Sequence, residues 1–66
     1  MVVKRINLKT GDITYFAGYD SSSEDCCTWT PQRIGAVNIR RDDIVEKLLR
    51  FLLIHMKETK YIIKVE

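Results

Sequence analysis

Asp42-Asp43-Ile44-Val45-Glu46-Lys47-Leu48-Leu49-Arg50-Phe51-Leu52-Leu53-Ile54-His55-Met56 is the stretch on which the fold turns. At about 100° per residue, Ile44, Val45, Leu48, Leu49, Leu52 and Met56 fall on one face of a helix, with Glu46, Arg50 and Lys57 clustered opposite. Phe51 and Leu53 lie on the two flanks, Ile54 sits among the charges, and His55 marks the edge of the apolar arc. The spacing predicts a helix from Ile44 to about Met56, rich in leucine and other good helix formers. Asp43 with Glu46 has the form of a capping box, and both aspartates suit the positive end of the helix dipole. Lys57 and Lys60 suit its negative end.

The apolar arc is roughly 200° wide, against about 100° or more for an ordinary surface helix. One small sheet does not easily cover so broad a surface. Either some leucine stays exposed, or the flank at Phe51, Leu53 and Ile54 is buried against a second copy or another protein. The scarcity of large apolar patches on monomers favours the second reading and a homodimer.

Upstream, Val2 to Leu8 places Val2, Ile6 and Leu8 on one side of a strand, with Lys4 interrupting. Lys9-Thr10-Gly11-Asp12 is a short turn in which Gly11 is free to take positive φ. Ile13, Tyr15 and Ala17 then alternate against Thr14 and Phe16, which completes a hairpin signal. Asp20-Ser21-Ser22-Ser23-Glu24-Asp25 is a polar loop. Cys26-Cys27-Thr28-Trp29-Thr30 reads as a short strand ended, or held at an edge, by Pro31. A further strand is expected over Ile34 to Ile39, and a last one over Tyr61 to Glu66. The expected fold is therefore α+β: a small antiparallel sheet of three to four strands packed on one long helix, order β-β-(β)-β-α-β.

With 66 residues the chain is one domain near the margin of independent stability, burying only about 60% of its unfolded surface. Domains of this size lean on disulfides, metals or partner subunits. The two cysteines are adjacent and close no ordinary loop, and no metal-binding spacing is present, so self-association is the expected support. An apolar fraction of 45% and a charged fraction of 30% argue against disorder. A net charge of +2 names no partner: a dedicated nucleic-acid binder is usually more basic, and a nucleic-acid mimic strongly acidic. No stretch reaches the roughly 18 uncharged apolar residues of a membrane span, and the start lacks the order of a secretory signal. Cytoplasmic residence is the default expectation.

Tyr15-Phe16-Ala17-Gly18-Tyr19-Asp20, Thr28-Trp29-Thr30, Ala36 to Ile39, the helix, and Lys60-Tyr61-Ile62-Ile63-Lys64-Val65-Glu66 together resemble short uncharacterised α+β proteins encoded by bacteriophages and other mobile elements of bacteria. The likeness covers most of the chain, and the Cys26-Cys27 pair departs from it. What the resemblance implies is an intracellular accessory protein that binds and inhibits a bacterial host factor. It carries over no catalytic residue.

Trp29 follows the polar loop and either plugs the end of the core or anchors a partner. Tyr19 and Arg33 bracket the same loop and would join it, since Trp, Tyr and Arg dominate interface hot spots. The leading functional expectation is a non-enzymatic interaction module acting by steric occlusion, with Trp29, Tyr19 and Arg33 as its contacts. The alternative is a nucleic-acid binder using Arg40, Arg41, Lys4 and Arg5, joined by Arg33 and with Trp29, Tyr15 and Tyr19 as stacking platforms. Against it, Asp42 and Asp43 immediately offset the arginine pair. A second alternative is a thiol-dependent or small-ligand enzyme around Cys26 and Cys27, with His55 as the chain's one histidine. No catalytic signature, phosphate loop or cofactor motif accompanies those thiols, and no cofactor is expected. The pairs Glu24-Asp25 and Asp42-Asp43 read as loop and helix-start residues rather than acid–base dyads.

Overall fold

A computed structural model describes residues 1–23, 26–55 and 60–66. Met56, Lys57, Glu24 and Asp25, which figure in the reading above, lie outside the described residues. The elements in order are β1 (Val3–Asn7), β2 (Ile13–Tyr19), β3 (Cys27–Thr30), a 3-10 turn (Arg33–Gly35), α1 (Asp42–His55) and β4 (Tyr61–Val65). The strands form one antiparallel sheet, β3-β2-β1-β4. This is the expected α+β class, a four-stranded sheet with one helix.

The β1–β2 turn forms because Asn7 supplies its own scaffold. Its side-chain oxygen accepts from the backbone N–H of Lys9 at 2.9 Å and Thr10 at 3.2 Å. Gly11, at φ +78, donates to the Asn7 carbonyl at 2.8 Å. Few other residues occupy that backbone region without strain. The chain then returns after α1, and β4 pairs with β1 from Val3↔Val65 to Asn7↔Tyr61.

Val3, Phe16 and Cys27 from the sheet meet Val45, Leu48 and Leu52 from α1, with Ile39 completing the core. Burial of each large apolar side chain contributes about 1.5–3 kcal/mol. The helix face read from the sequence is thus the buried one, although Ile44 remains 41% exposed and Leu49 half-buried. In β1 the buried side is that of Val3. Of Val2, Ile6 and Leu8, the side that alternation marked as apolar, Val2 is buried, while Ile6 and Leu8 lie on the opposite surface of the sheet.

Two local expectations are corrected. Ile34 to Ile39 is not a strand: Arg33–Gly35 is a 3-10 turn, and Ile34 is 98% exposed. β2 and β1 already have a strand on each side, so this segment could join only at the outer edge of β3 or β4, and it joins neither. It makes isolated bonds instead, from Val37 N–H to the Phe16 carbonyl at 2.9 Å and from Ile39 N–H to the Met1 carbonyl at 2.7 Å. The capping box does not form either, because Asp43 lies inside the first helical turn. Its carboxylate is held by Arg41, whose Nε and Nη2 donate at 3.0 and 2.8 Å. Glu46 instead accepts from Arg50 one turn on, at 2.7 Å. Asp42 and Asp43 both occupy the first turn, where the positive end of the helix dipole favours carboxylates.

The sheet ends differently on its two sides. β3 has four residues, pairs with β2 through a bulge, and runs into Pro31. β4 has five, Tyr-Ile-Ile-Lys-Val, in regular register. Among the described residues no helix is long and apolar enough to cross a membrane.

Candidate interaction surfaces

The bulge in β2 builds the first surface. Phe16 and Tyr19 are three apart and would face opposite sides of a regular strand. Phe16 opposes Trp29 and Gly18 opposes Thr28, so one extra residue is accommodated between them, with Gly18 at φ +135. Both aromatics consequently reach the helix side. Buried Phe16 receives Tyr19 edge-on at 5.3 Å and Trp29 edge-on at 6.0 Å between ring centres. Tyr19 continues to Phe51 at 5.2 Å, and Phe51 lies against His55 at 4.2 Å. At the other end the Arg5 guanidinium sits 4.3 Å from the Trp29 ring centre and 4.4 Å from that of Tyr61. Its Nε also donates to Thr14 Oγ1 at 3.2 Å. Rings and guanidinium form one continuous line across four strands and the helix, in which Tyr19 is 63% exposed.

The second surface is the outer part of α1. Leu53 is 82% and Ile54 70% exposed. The third is the face of the sheet turned away from the helix. Ile13, Ile6 and Ile62 are direct cross-strand neighbours there, with Ile13 and Ile62 each about two-fifths exposed. The next row holds Thr30, Tyr15, Lys4 and Lys64. Lys4 Nζ donates to Glu66 Oε1 at 2.7 Å, and Arg33 Nε donates to Oε2 of the same carboxylate at 3.0 Å. These hydrogen bonds, Lys4 first and Arg33 second, pull the Glu66 carboxyl below its ordinary pKa.

The β2–β3 loop closes through Asp20. Its carboxylate accepts from the Ser22 hydroxyl at 2.6 Å and the Ser22 N–H at 3.0 Å, which lowers its pKa. The Asp20 N–H donates to the Cys26 carbonyl at 2.9 Å, and Cys26 adopts φ +60. Neither cysteine is in a disulfide: Cys27 is in the core at 3% exposure, and Cys26 is half-buried. Among the described residues no group of three His, Cys, Asp or Glu side chains is placed to hold a metal ion.

The structure regroups the residues singled out from sequence. Trp29 and Tyr19 do share a surface, through Phe16, but Arg33 is engaged with Glu66 on the opposite face. Leu53 and Ile54 remain together, whereas Phe51 turns to the other flank and joins Tyr19. Lys4 and Arg5 are consecutive in β1 and therefore point to opposite faces, so they cannot belong to one basic patch. Arg41 is committed to Asp43, and Arg40 is exposed. Phe16 as the hub, and Arg5 and Tyr61 as the far end of the line, escaped the sequence reading. Gly18 was the one signal of the bulge that brings them together.

No family model, curated protein or solved structure matches this chain.

Proposed function

We propose that this chain is a small non-enzymatic protein–protein interaction module. The observation that carries the reading is the exposure of Leu53 at 82% and Ile54 at 70% on a helix whose other side supplies the core. Buried beneath a partner, each side chain would contribute about 1.5–3 kcal/mol. Tyr19 offers a second anchor on the far flank. Its ring is already held by Phe16 and Phe51, so little rotamer freedom remains to be lost on binding. Trp29, stacked between Phe16 and Arg5, supports that anchor rather than serving as one.

The resemblance to phage-encoded proteins makes a bacterial host or defence protein the partner class and the host cytoplasm the setting. The mechanism is steric: an apolar surface on a domain of 7.7 kDa covers a working surface of its target. Capture from bacterial lysate on immobilised protein tests this. Replacing Leu53 and Ile54 together by Asp is expected to abolish capture of the specific partner, and Tyr19→Ala to weaken it about tenfold or more. Both variants should keep the far-ultraviolet circular dichroism of the parent. Undiminished capture by the folded double variant removes the helix surface from the reading.

A further inference from the structure

We infer that a second copy of this chain pairs with the outer side of β4, extending the sheet across a two-fold axis at Ile63. The ladder with β1 fixes which backbone groups face outward. Val2 and Glu66 exchange both backbone hydrogen bonds at 2.8 Å, and Leu8 N–H donates to the Lys60 carbonyl at 2.8 Å. Antiparallel pairs alternate, so Lys60, Ile62, Lys64 and Glu66 turn their N–H and C=O toward β1. Tyr61, Ile63 and Val65 turn theirs away, and among the described residues no strand lies on that side. Proteins usually blunt such an edge with proline, a bulge or a charge. β3 has only four residues and stops at Pro31, whereas β4 is guarded only by Lys64.

Charge selects both the occupant and its register. Pairing must match outward residues with outward residues, which leaves few alignments. With the axis at Ile63, that residue faces its own copy and Tyr61 faces Val65, so every outward group of the strand finds a partner. The same alignment sets Lys60 opposite Glu66 of the second copy, twice by symmetry. Moving the axis to Ile62 opposes Lys60 to Lys64, and moving it to Lys64 opposes that lysine to itself. Like charges facing each other across strands are destabilising. The sequence is thus self-complementary in one alignment and self-repelling in the two beside it.

This pairing uses neither Leu53 nor Ile54, so it stands or falls separately from the partner surface proposed above. Sedimentation at about 100 μM, a concentration that suits modest interfaces, is expected to give twice the chain mass of 7.7 kDa. In that dimer the amide protons of Tyr61, Ile63 and Val65 should exchange as slowly as those of Ile62 and Lys64. Ile63→Pro, which removes an outward donor at an edge position that tolerates proline, should yield a monomer. Lys60→Glu should raise the dissociation constant about tenfold. A monomer at that concentration overturns the inference, and so does a dimer in which those three amides exchange freely. Should the proline variant not fold, exchange in the unmodified chain decides alone.

Discussion

Arg5 shows how far a residue's meaning depends on its neighbours. In the sequence it is one of two adjacent cations and reads as part of a basic patch. In the fold it lies between Trp29 and Tyr61, with its charge spread over two ring faces. Such a contact is worth about 0.5–2 kcal/mol depending on desolvation. Arg5→Ala is therefore expected to cost stability in that range. It should also shift the emission of Trp29, the one tryptophan of the chain. An unchanged spectrum would show that the stack does not persist in solution. Nothing in residue order forecasts this arrangement, because Arg5 and Trp29 lie on strands separated by β2.

At the scale of elements, the helix and the first hairpin were legible, for physical reasons. A period near 3.6 over fourteen residues has no other use, and Gly11 after a polar pair suits a turn that needs positive φ. The β2 bulge was not legible. One inserted residue reverses which face every later side chain of the strand reaches, and alternation counts do not register insertions. Gly18→Ala tests its importance. A methyl group there meets no atom within 4 Å, so crowding is excluded and only the backbone at φ +135 resists. The expected cost is about 1–3 kcal/mol in chemical denaturation, together with a weaker Tyr19–Phe16 contact seen as altered aromatic chemical shifts. A neutral substitution would mean that the bulge survives without glycine. The misread strand over Ile34 to Ile39 has a different cause. Its composition suits a strand, but Arg33–Gly35 closes as a 3-10 turn and the inner strands already have both neighbours, a long-range property.

At the scale of the molecule, Glu66 ties distant segments together, since it accepts from Lys4 in β1 and from Arg33 in the 3-10 turn. Its carboxyl is lowered in the folded state, so its contribution is fully present above the unfolded pKa and is lost as pH falls through the folded one. Glu66→Gln is expected to lower the urea midpoint at neutral pH, with a difference that vanishes in acid and shrinks in high salt. The measurement belongs at sub-micromolar concentration, where pairing between chains does not enter. A pH-independent difference would assign the effect to packing instead. The broad apolar belt read from the helix was half right in its premise: Val45, Leu48 and Leu52 are covered by the chain's own strands, while Leu53 and Ile54 are not.

The two borders of the sheet are unequal, with a four-residue strand stopped by Pro31 at one and a plain run of β-formers at the other. An object with a single sticky margin can be matched once, after which nothing adhesive remains. Two such margins would recruit copy after copy and polymerise into filaments. On the pairing inferred above, the proline beyond Thr30 sets an upper bound on growth at two copies.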